Sequence, residues 1–500
     1  MTRLSTRLYG RALSAACMLP ILILSLSGTN LHATTSGDPA VVMLSDIHFD
    51  PFHDPAKFAR LQKASVTSWP TILDSPDSPT QAQDFADLQR SCSARGVDTP
   101  NALLKSSIRA AAAVEPNPLF VTVSGDLMAH QFDCRFHNLA PHATNADYSA
   151  FAAKTINFVA YELWLAFPDT PVYIALGNND SGCKDYSEDP NSSFLKNAAI
   201  GVAANSKSPQ DRFNIEMSFG HYGDYNVAMP KPMAHTRLIV LQDVFESRKF
   251  SPCHKQSSEG AAKAQIVWLR KQLAAARKSH QTVWVMAHIP PGIDAYSTVA
   301  KATNVCGGDA PVGFMGSDAL LKAITDYADV TKLALFGHTH MDELRVYKST
   351  TGPGFPQSWV PGKLVASVSP VDGNDPSFTI AEIAPSASLK DYTVYKADNQ
   401  TGIDTKWTEE YNFRKTYSLP DLSGATLDKL AVALVADKTG ETQVSTDYQR
   451  NFFVGTTMKL GLAMKVAWPA YTCAMTEGSA SDYRSCVCPA APSVAANTAP

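Results

Sequence analysis

Leu333-Ala334-Leu335-Phe336-Gly337-His338-Thr339-His340 carries four apolar residues straight into a glycine and two histidines. The apolar run reads as a buried strand, and its carboxyl end is where open α/β sheets bind ligands. The same arrangement recurs upstream. Residues 41–44 lead into Asp46-Ile47-His48, 119–123 into Gly125-Asp126, 172–176 into Gly177-Asn178-Asn179-Asp180, and 283–286 into Ala287-His288. A sixth strand, 238–241, runs into no such cluster. Helical patterns lie between the strands at 101–114, 148–167 and 259–279, the last with Ile266, Leu269 and Leu273 on one face. This alternation predicts a layered α/β fold, and the absence of a fixed repeat excludes solenoids and propellers.

The 500 residues are 45% hydrophobic and 18% charged, with 43 basic against 47 acidic side chains and a formal net charge of −4. A chain of this size and composition buries a large core, which excludes a disordered tail or peptide-sized module. It also has no concentrated basic surface of the kind that binds a nucleic-acid backbone.

At the N-terminus, Arg3, Arg7 and Arg11 precede an apolar run at 12–26, and Leu31-His32-Ala33 puts a small residue at a cleavage position. Residues 1–33 read as a secretory signal peptide, with an uncleaved anchor as the alternative and a lipoprotein cysteine at Cys17 weaker still. Cleavage would leave no stable membrane insertion and place the mature chain in a secreted or periplasmic compartment. Outside the signal stand eight cysteines, Cys92, Cys134, Cys183, Cys253, Cys306, Cys473, Cys486 and Cys488. An even number in an exported chain points to disulfides, whose pairing the sequence leaves open. A zinc knuckle at Cys473, Cys486 and Cys488 is the competing reading, against which stands the lack of a second close pair.

The strand-and-cluster pattern spans 39–385. Residues 386–489 read as a mostly helical extension tied down by late cysteines, and the Ala/Pro-rich 490–500 as a disordered tail. Residues 50–98, rich in Asp, Ser and Pro, read as a long loop insertion.

Seven candidate metal ligands stand at strand ends: Asp46, His48, Asp126, Asn178, His288, His338 and His340. A set of satisfied core histidines and turn aspartates is the structural alternative, and it requires seven coincident placements. Carboxylate and imidazole donors suit zinc, manganese or iron. If Asp126 bridges, Asp46, His48 and His340 complete one site, while Asn178, His288 and His338 complete the other. Ions roughly 3.5–4 Å apart can share a hydroxide and clamp a phosphoryl oxygen for in-line attack.

The ordered set DxH, GD, GNx(D/E), H and GHxH resembles that of the calcineurin-like metallophosphoesterases. Ser45-Asp46-Ile47-His48-Phe49-Asp50-Pro51, the run from Gly125 to His130, His288-Ile289-Pro290-Pro291-Gly292 and the run from Phe336 to Glu343 resemble the acid-sphingomyelinase-like phosphodiesterases and related endopolyphosphatases. Ser369-Pro370-Val371-Asp372-Gly373-Asn374-Asp375-Pro376 and the late cysteines extend the likeness to nearly the whole chain. The resemblance implies a four-layer sandwich, two central mixed β-sheets flanked by helices, followed by the helical, disulfide-tied extension. It also implies two divalent ions, zinc by preference, and phosphodiester hydrolysis by a monomer.

Two departures qualify it. Where sphingomyelinases of this branch carry a histidine, this chain has Asn179, which has no titratable proton; endopolyphosphatase-like members share the GNND reading. Too few residues precede Asp46 for a saposin-like lipid-presenting domain, which disfavours membrane sphingomyelin. His130 matches a histidine of the branch and is the remaining general-acid candidate, ahead of His53, His137 and His221, the last read as lying in a Gly-rich loop. Asn179-Asp180-Ser181 is a sequon read as unused, with Asn191 and Asn399 better placed. The expected substrate is a soluble phosphodiester or nucleotide. Alternatives are an endopolyphosphatase or phosphomonoesterase on the same site, or a non-catalytic metal-binding relic.

Overall fold

The computed structural model describes residues 37–254, 260–349, 358–455 and 464–488, all within one compact unit. The expected signal at 1–33 and tail at 490–500 lie outside the described residues.

Twelve strands are described: β1 (Ala40–Leu44), β2 (Val121–Ser124), β3 (Val172–Ala175), β4 (Tyr225–Ala228), β5 (Thr236–Val240), β6 (Thr282–Met286), β7 (Thr331–Phe336), β8 (Glu343–Lys348), β9 (Trp359–Leu364), β10 (Ser377–Ile383), β11 (Leu389–Ala397) and β12 (Trp407–Asn412). They form two six-stranded mixed sheets, ordered β12-β11-β10-β1-β2-β3 and β4-β5-β6-β7-β9-β8. In the first, β1, β2 and β3 run parallel, while β10, β11 and β12 complete it antiparallel. In the second, β5, β6, β7 and β9 run parallel between antiparallel edge strands β4 and β8. All six strands read from the sequence are present.

Alternation along β6 builds the layers. Trp284 and Met286 join the core shared with β1 and β2, while Val283 and Val285 face the helices Ala261–Lys278 and Ala319–Thr325. Trp284 meets Phe120 edge-on at 5.6 Å and donates its indole N–H to the Ala387 carbonyl. Truncating this fully buried ring would cost roughly 3–5 kcal/mol. On the first sheet's outer side, the helices Asn101–Val114 and Asn145–Ala166 bury Leu104, Ile108, Phe151 and Ile156.

Two local expectations are corrected. Residues 50–98 are not an irregular loop: they contain the helices Phe58–Lys63, Trp69–Leu73 and Gln81–Ser91, which bury Phe58, Leu61, Trp69, Ile72, Phe85 and Leu88. These apolar residues are few and separated by turn-forming ones, so the short segments gain their stability from packing. His221 is not in a Gly-rich loop but in the last turn of the helix Pro209–Tyr222, which Gly223 ends at φ 77°. The expected boundary at 385 falls between β10 and β11, which pair along their length in one sheet, so strands as well as helices follow it.

The eight cysteines form four disulfides, Cys92–Cys134, Cys183–Cys253, Cys306–Cys488 and Cys473–Cys486. The zinc-knuckle reading fails because its three sulfurs are consumed in these bonds. Among the described residues no helix is long and apolar enough to cross a membrane.

Candidate metal centre

The carboxyl ends of β1, β2, β3, β6 and β7 converge and bring all seven candidate ligands together. His48 Nε2 stands 3.1 Å from His340 Nε2 and 3.5 Å from Asp126 Oδ2, and His340 Nε2 is 3.5 Å from Asp46 Oδ1. On the other side, His288 Nε2 is 3.1 Å from Asp126 Oδ2, 3.2 Å from Asn178 Oδ1 and 3.3 Å from His338 Nδ1. Asp126 belongs to both groups.

The chain holds these atoms at a local cost. Asp46, His48, Asp126, His338 and His340 all take left-handed backbone conformations, with φ between 45° and 75°. Each such non-glycine residue costs on the order of 1–3 kcal/mol, which the surrounding structure must over-determine. It does so through the backbone: Asp46 N–H donates to the Gly125 carbonyl, His48 N–H to Asp126 and Gly337 N–H to His288. Glycine is required for close approach at two positions. A Cβ on Gly177 would lie 2.2 Å from Asp126 Oδ1, and one on Gly337 would lie 2.0 Å from Ser45 Oγ.

The histidine tautomers follow from their outer contacts. His48 Nδ1 donates to the Met128 carbonyl and His288 Nδ1 to the Ser124 carbonyl, each at 2.8 Å. In the neutral ring this leaves Nε2 a bare acceptor. Bare nitrogens, carboxylate oxygens and the Asn178 amide oxygen then face one another within hydrogen-bonding distance, an arrangement that repels unless positive charge sits among them. Burial alone would lower His288, but the Asp126 carboxylate raises it to about 10. Burial holds His48 and His338 well below the ordinary imidazole value. The donor set fits divalent cations, which would take the place that a proton on His288 otherwise fills.

Several supporting residues surround these ligands: Asp180 closes the GNx(D/E) motif, whereas Asp243 carries no signal in the sequence spacing. Asp180 Oδ1 accepts the N–H groups of Leu127 and Met128, and Oδ2 that of Gly177, so one carboxyl locks two of the loops. Asp243, at the end of β5, accepts from Ile289 N–H and, at 3.4 Å, from His288 N–H. The strand that ended in no histidine cluster therefore positions the histidine of its neighbour. Burial pushes Asp180 and Asp243 each up to about 7. Asn179 donates both its backbone N–H and its side-chain amide to Asp126, each at 2.8 Å; it is buried and this use of its amide leaves the sequon inaccessible.

His130 sits beside the first group. Its ring stacks on His48 at 4.0 Å, and its Nδ1 is 3.0 Å from Oδ1 of Asp98, whose Oδ2 also accepts the His130 backbone N–H. Asp98 is fully buried and further held by Ser369 Oγ, with Arg135 at 3.7 Å. Burial would lower the His130 imidazole, yet Asp98 raises it; burial would raise Asp98, yet His130 holds it well below the usual carboxylate range. Asp98 was missed because it lies in the segment read as a loop. Asp372, from the Ser369–Pro376 run, approaches His340 Nδ1 at 3.5 Å. The weaker histidines are engaged elsewhere: His53 with Gln81, His137 stacked on Tyr148, His221 with Asn191.

Comparison with known proteins agrees with this geometry. The sequence profile of the calcineurin-like phosphoesterases matches residues 40–342. The chain is 26% identical to sphingomyelinase phosphodiesterase D of Dictyostelium discoideum, over 67% of this chain and 69% of the relative. It is 26% identical to the mouse acid sphingomyelinase-like phosphodiesterase 3b, over 76% of each. With the cyclic GMP-AMP phosphodiesterase SMPDL3A of Bos taurus it shares 23% identity over 58% of this chain and 61% of the relative. The β-strand loops, the donor atoms they gather and the profile spanning them agree: this chain belongs to the calcineurin-like phosphoesterase family of hydrolases.

Proposed function

We propose that the chain is a secreted or periplasmic phosphodiester hydrolase with two divalent ions, acting on a soluble phosphodiester or nucleotide. The observation that carries this reading is the gathering of mutually repelling acceptor atoms into two groups that share Asp126, with the His130–Asp98 pair stacked against one of them. Asp46, His48, Asp126 and His340 would hold one ion, and Asp126, Asn178, His288 and His338 the other. Such ions supply an activated water and polarise the phosphoryl group. Their imidazole-rich donor set favours zinc, with manganese or iron as alternatives.

The chain's own residues complete the chemistry. His130, kept protonated by Asp98, gives its proton to the departing alkoxide. An imidazolium is a poor ligand, so His130 serves as the acid although its ring lies within reach of His48 and His340. Asn179 orients Asp126 and supplies no proton. The intact donor set speaks against a non-catalytic relic. Four disulfides support an oxidising compartment.

The test is hydrolysis of a panel of phosphodiesters, phosphomonoesters and polyphosphate by metal-loaded protein, with and without chelator, alongside elemental analysis. Chelator-sensitive diester hydrolysis with two ions per chain is expected. Activity insensitive to metal removal would overturn the reading.

A further inference from the structure

The flank of the centre away from His130 is built by two loops. Tyr186 lies in the turn after Asn178, and its N–H donates to the Asn178 carbonyl at 2.9 Å. Its hydroxyl is 3.3 Å from His338 Nε2, and its ring meets that imidazole edge-on. Since His338 turns Nδ1 toward His288, Nε2 is the nitrogen left to carry the proton, and it donates to the Tyr186 oxygen. Lys249 Nζ, from the loop after β5, donates to the same oxygen at 3.1 Å and lies 4.5 Å from the ring centroid.

Lys249 is exposed, and among the described residues no carboxylate pairs with it. Of its three ammonium protons, one is engaged by the phenol, which leaves two donors and a full charge facing outward. Asp185, an acid that acts on it at longer range, instead accepts from the Asn178 amide at 2.7 Å. The tyrosine hydroxyl, receiving two donors, has its own proton to offer elsewhere. Both loops are fixed in advance: Ser251 N–H donates to the Tyr186 carbonyl, Ser187 and Ser251 join through their hydroxyls at 2.8 Å, and Cys183–Cys253 closes the pair. A cation held here repels a choline headgroup and attracts a substrate with a second anionic group more strongly than a singly charged diester.

We propose that Lys249, set by Tyr186, is a specificity-determining residue that receives a second anionic group of the substrate. The substrate class is then a phosphate compound with charge beyond the scissile group, a nucleoside polyphosphate or inorganic polyphosphate, rather than a choline diester. This deepens the proposed hydrolytic function and rests on it.

The experiment compares kcat/KM for ATP, tripolyphosphate and the singly charged bis(p-nitrophenyl) phosphate in wild type, Lys249→Gln and Lys249→Arg, with metal content measured in each. In Lys249→Gln the ratio of polyanion to diester kcat/KM is expected to fall about ten-fold or more, through KM, with both ions retained; Lys249→Arg restores most of it. The faster of ATP and tripolyphosphate in wild type identifies the source of the second charge. A parallel fall on all three substrates, or no fall, overturns the assignment. Calorimetric binding of methylenediphosphonate needs no turnover and separates the two readings. Binding weakened about ten-fold in Lys249→Gln supports the assignment even if wild type hydrolyses nothing, which would overturn only the hydrolytic reading; unchanged binding overturns the assignment alone.

Discussion

Oδ1 of Asp98 lies 3.0 Å from Nδ1 of His130, and the same imidazole stacks 4.0 Å from His48. A buried carboxylate thus holds the His130 imidazole against the candidate metal centre, as the proposed general-acid role requires. His130→Ala is expected to cut turnover about 10²- to 10⁴-fold for an alkyl leaving group, and much less for a nitrophenolate, which leaves unprotonated. Asp98→Asn should give a smaller loss with the same asymmetry. Equal losses on both substrates, or lost metal, would assign His130 another role; Asn179→His tests whether a second imidazole restores part of the rate.

Asp126 is the carboxylate set closest to both histidine groups, 3.5 Å from His48 and 3.1 Å from His288, whereas Asp46, 3.5 Å from His340, stands 4.0 Å from His288. Asp126→Ala should therefore strip more metal than His48→Ala, His288→Ala or His340→Ala, because it weakens two sites at once. Elemental analysis after dialysis reads this directly. If Asp126→Ala retains both ions while a single histidine variant loses both, the shared-ligand assignment is wrong.

Glu188 links stability to pH. Burial pushes its carboxyl up to about 8, and among the described residues its Oε2 finds no hydrogen-bond partner. The folded state keeps this proton while the unfolded chain releases it above the ordinary value of 4.5. Between those values the unfolded state binds fewer protons, so this contribution is fully present below pH 4.5, declines as pH rises, and levels off above pH 8. Each pH unit inside the window costs at most about 1.4 kcal/mol. Glu188→Gln should flatten the fall in Tm toward alkaline pH, gaining most relative to wild type near pH 8; a variant whose Tm runs parallel to wild type across the window would refute the linkage.

Cys92–Cys134 braces the helix Gln81–Ser91 against the helix Phe132–Leu139, on either side of Asp98 and His130. The paired Cys92→Ser/Cys134→Ser variant should lose roughly 2–4 kcal/mol of stability. It should also lose alkyl-diester turnover before metal, since the acid rather than the ions loses its support. Native protein alkylated in denaturant without reductant should show none of these eight cysteines modified; eight modified thiols would contradict the pairing.

The sequence by itself determined six parallel strands, β1, β2, β3, β5, β6 and β7, and the seven candidate ligands. Buried strands are short, continuous apolar runs, and the residue after such a run must stand at the sheet's edge, so Asp46, Asp126, Asn178, His288 and His338 were legible from local pattern alone. Tertiary structure decided what those groups lean on. Asp98 reaches His130 across 32 residues, Asp180 reaches Leu127 across 53, Asp243 reaches Ile289 across 46, and Lys249 reaches Tyr186 across 63. No periodicity marks such residues, because a hydrogen bond to a neighbouring loop depends on where two chain segments meet in space. The strands β8–β12 were unread for a related reason. Polar residues interrupt their apolar runs, as in Glu343-Leu344-Arg345-Val346-Tyr347-Lys348 and Trp407-Thr408-Glu409-Glu410-Tyr411-Asn412, so only pairing within the sheets distinguishes them.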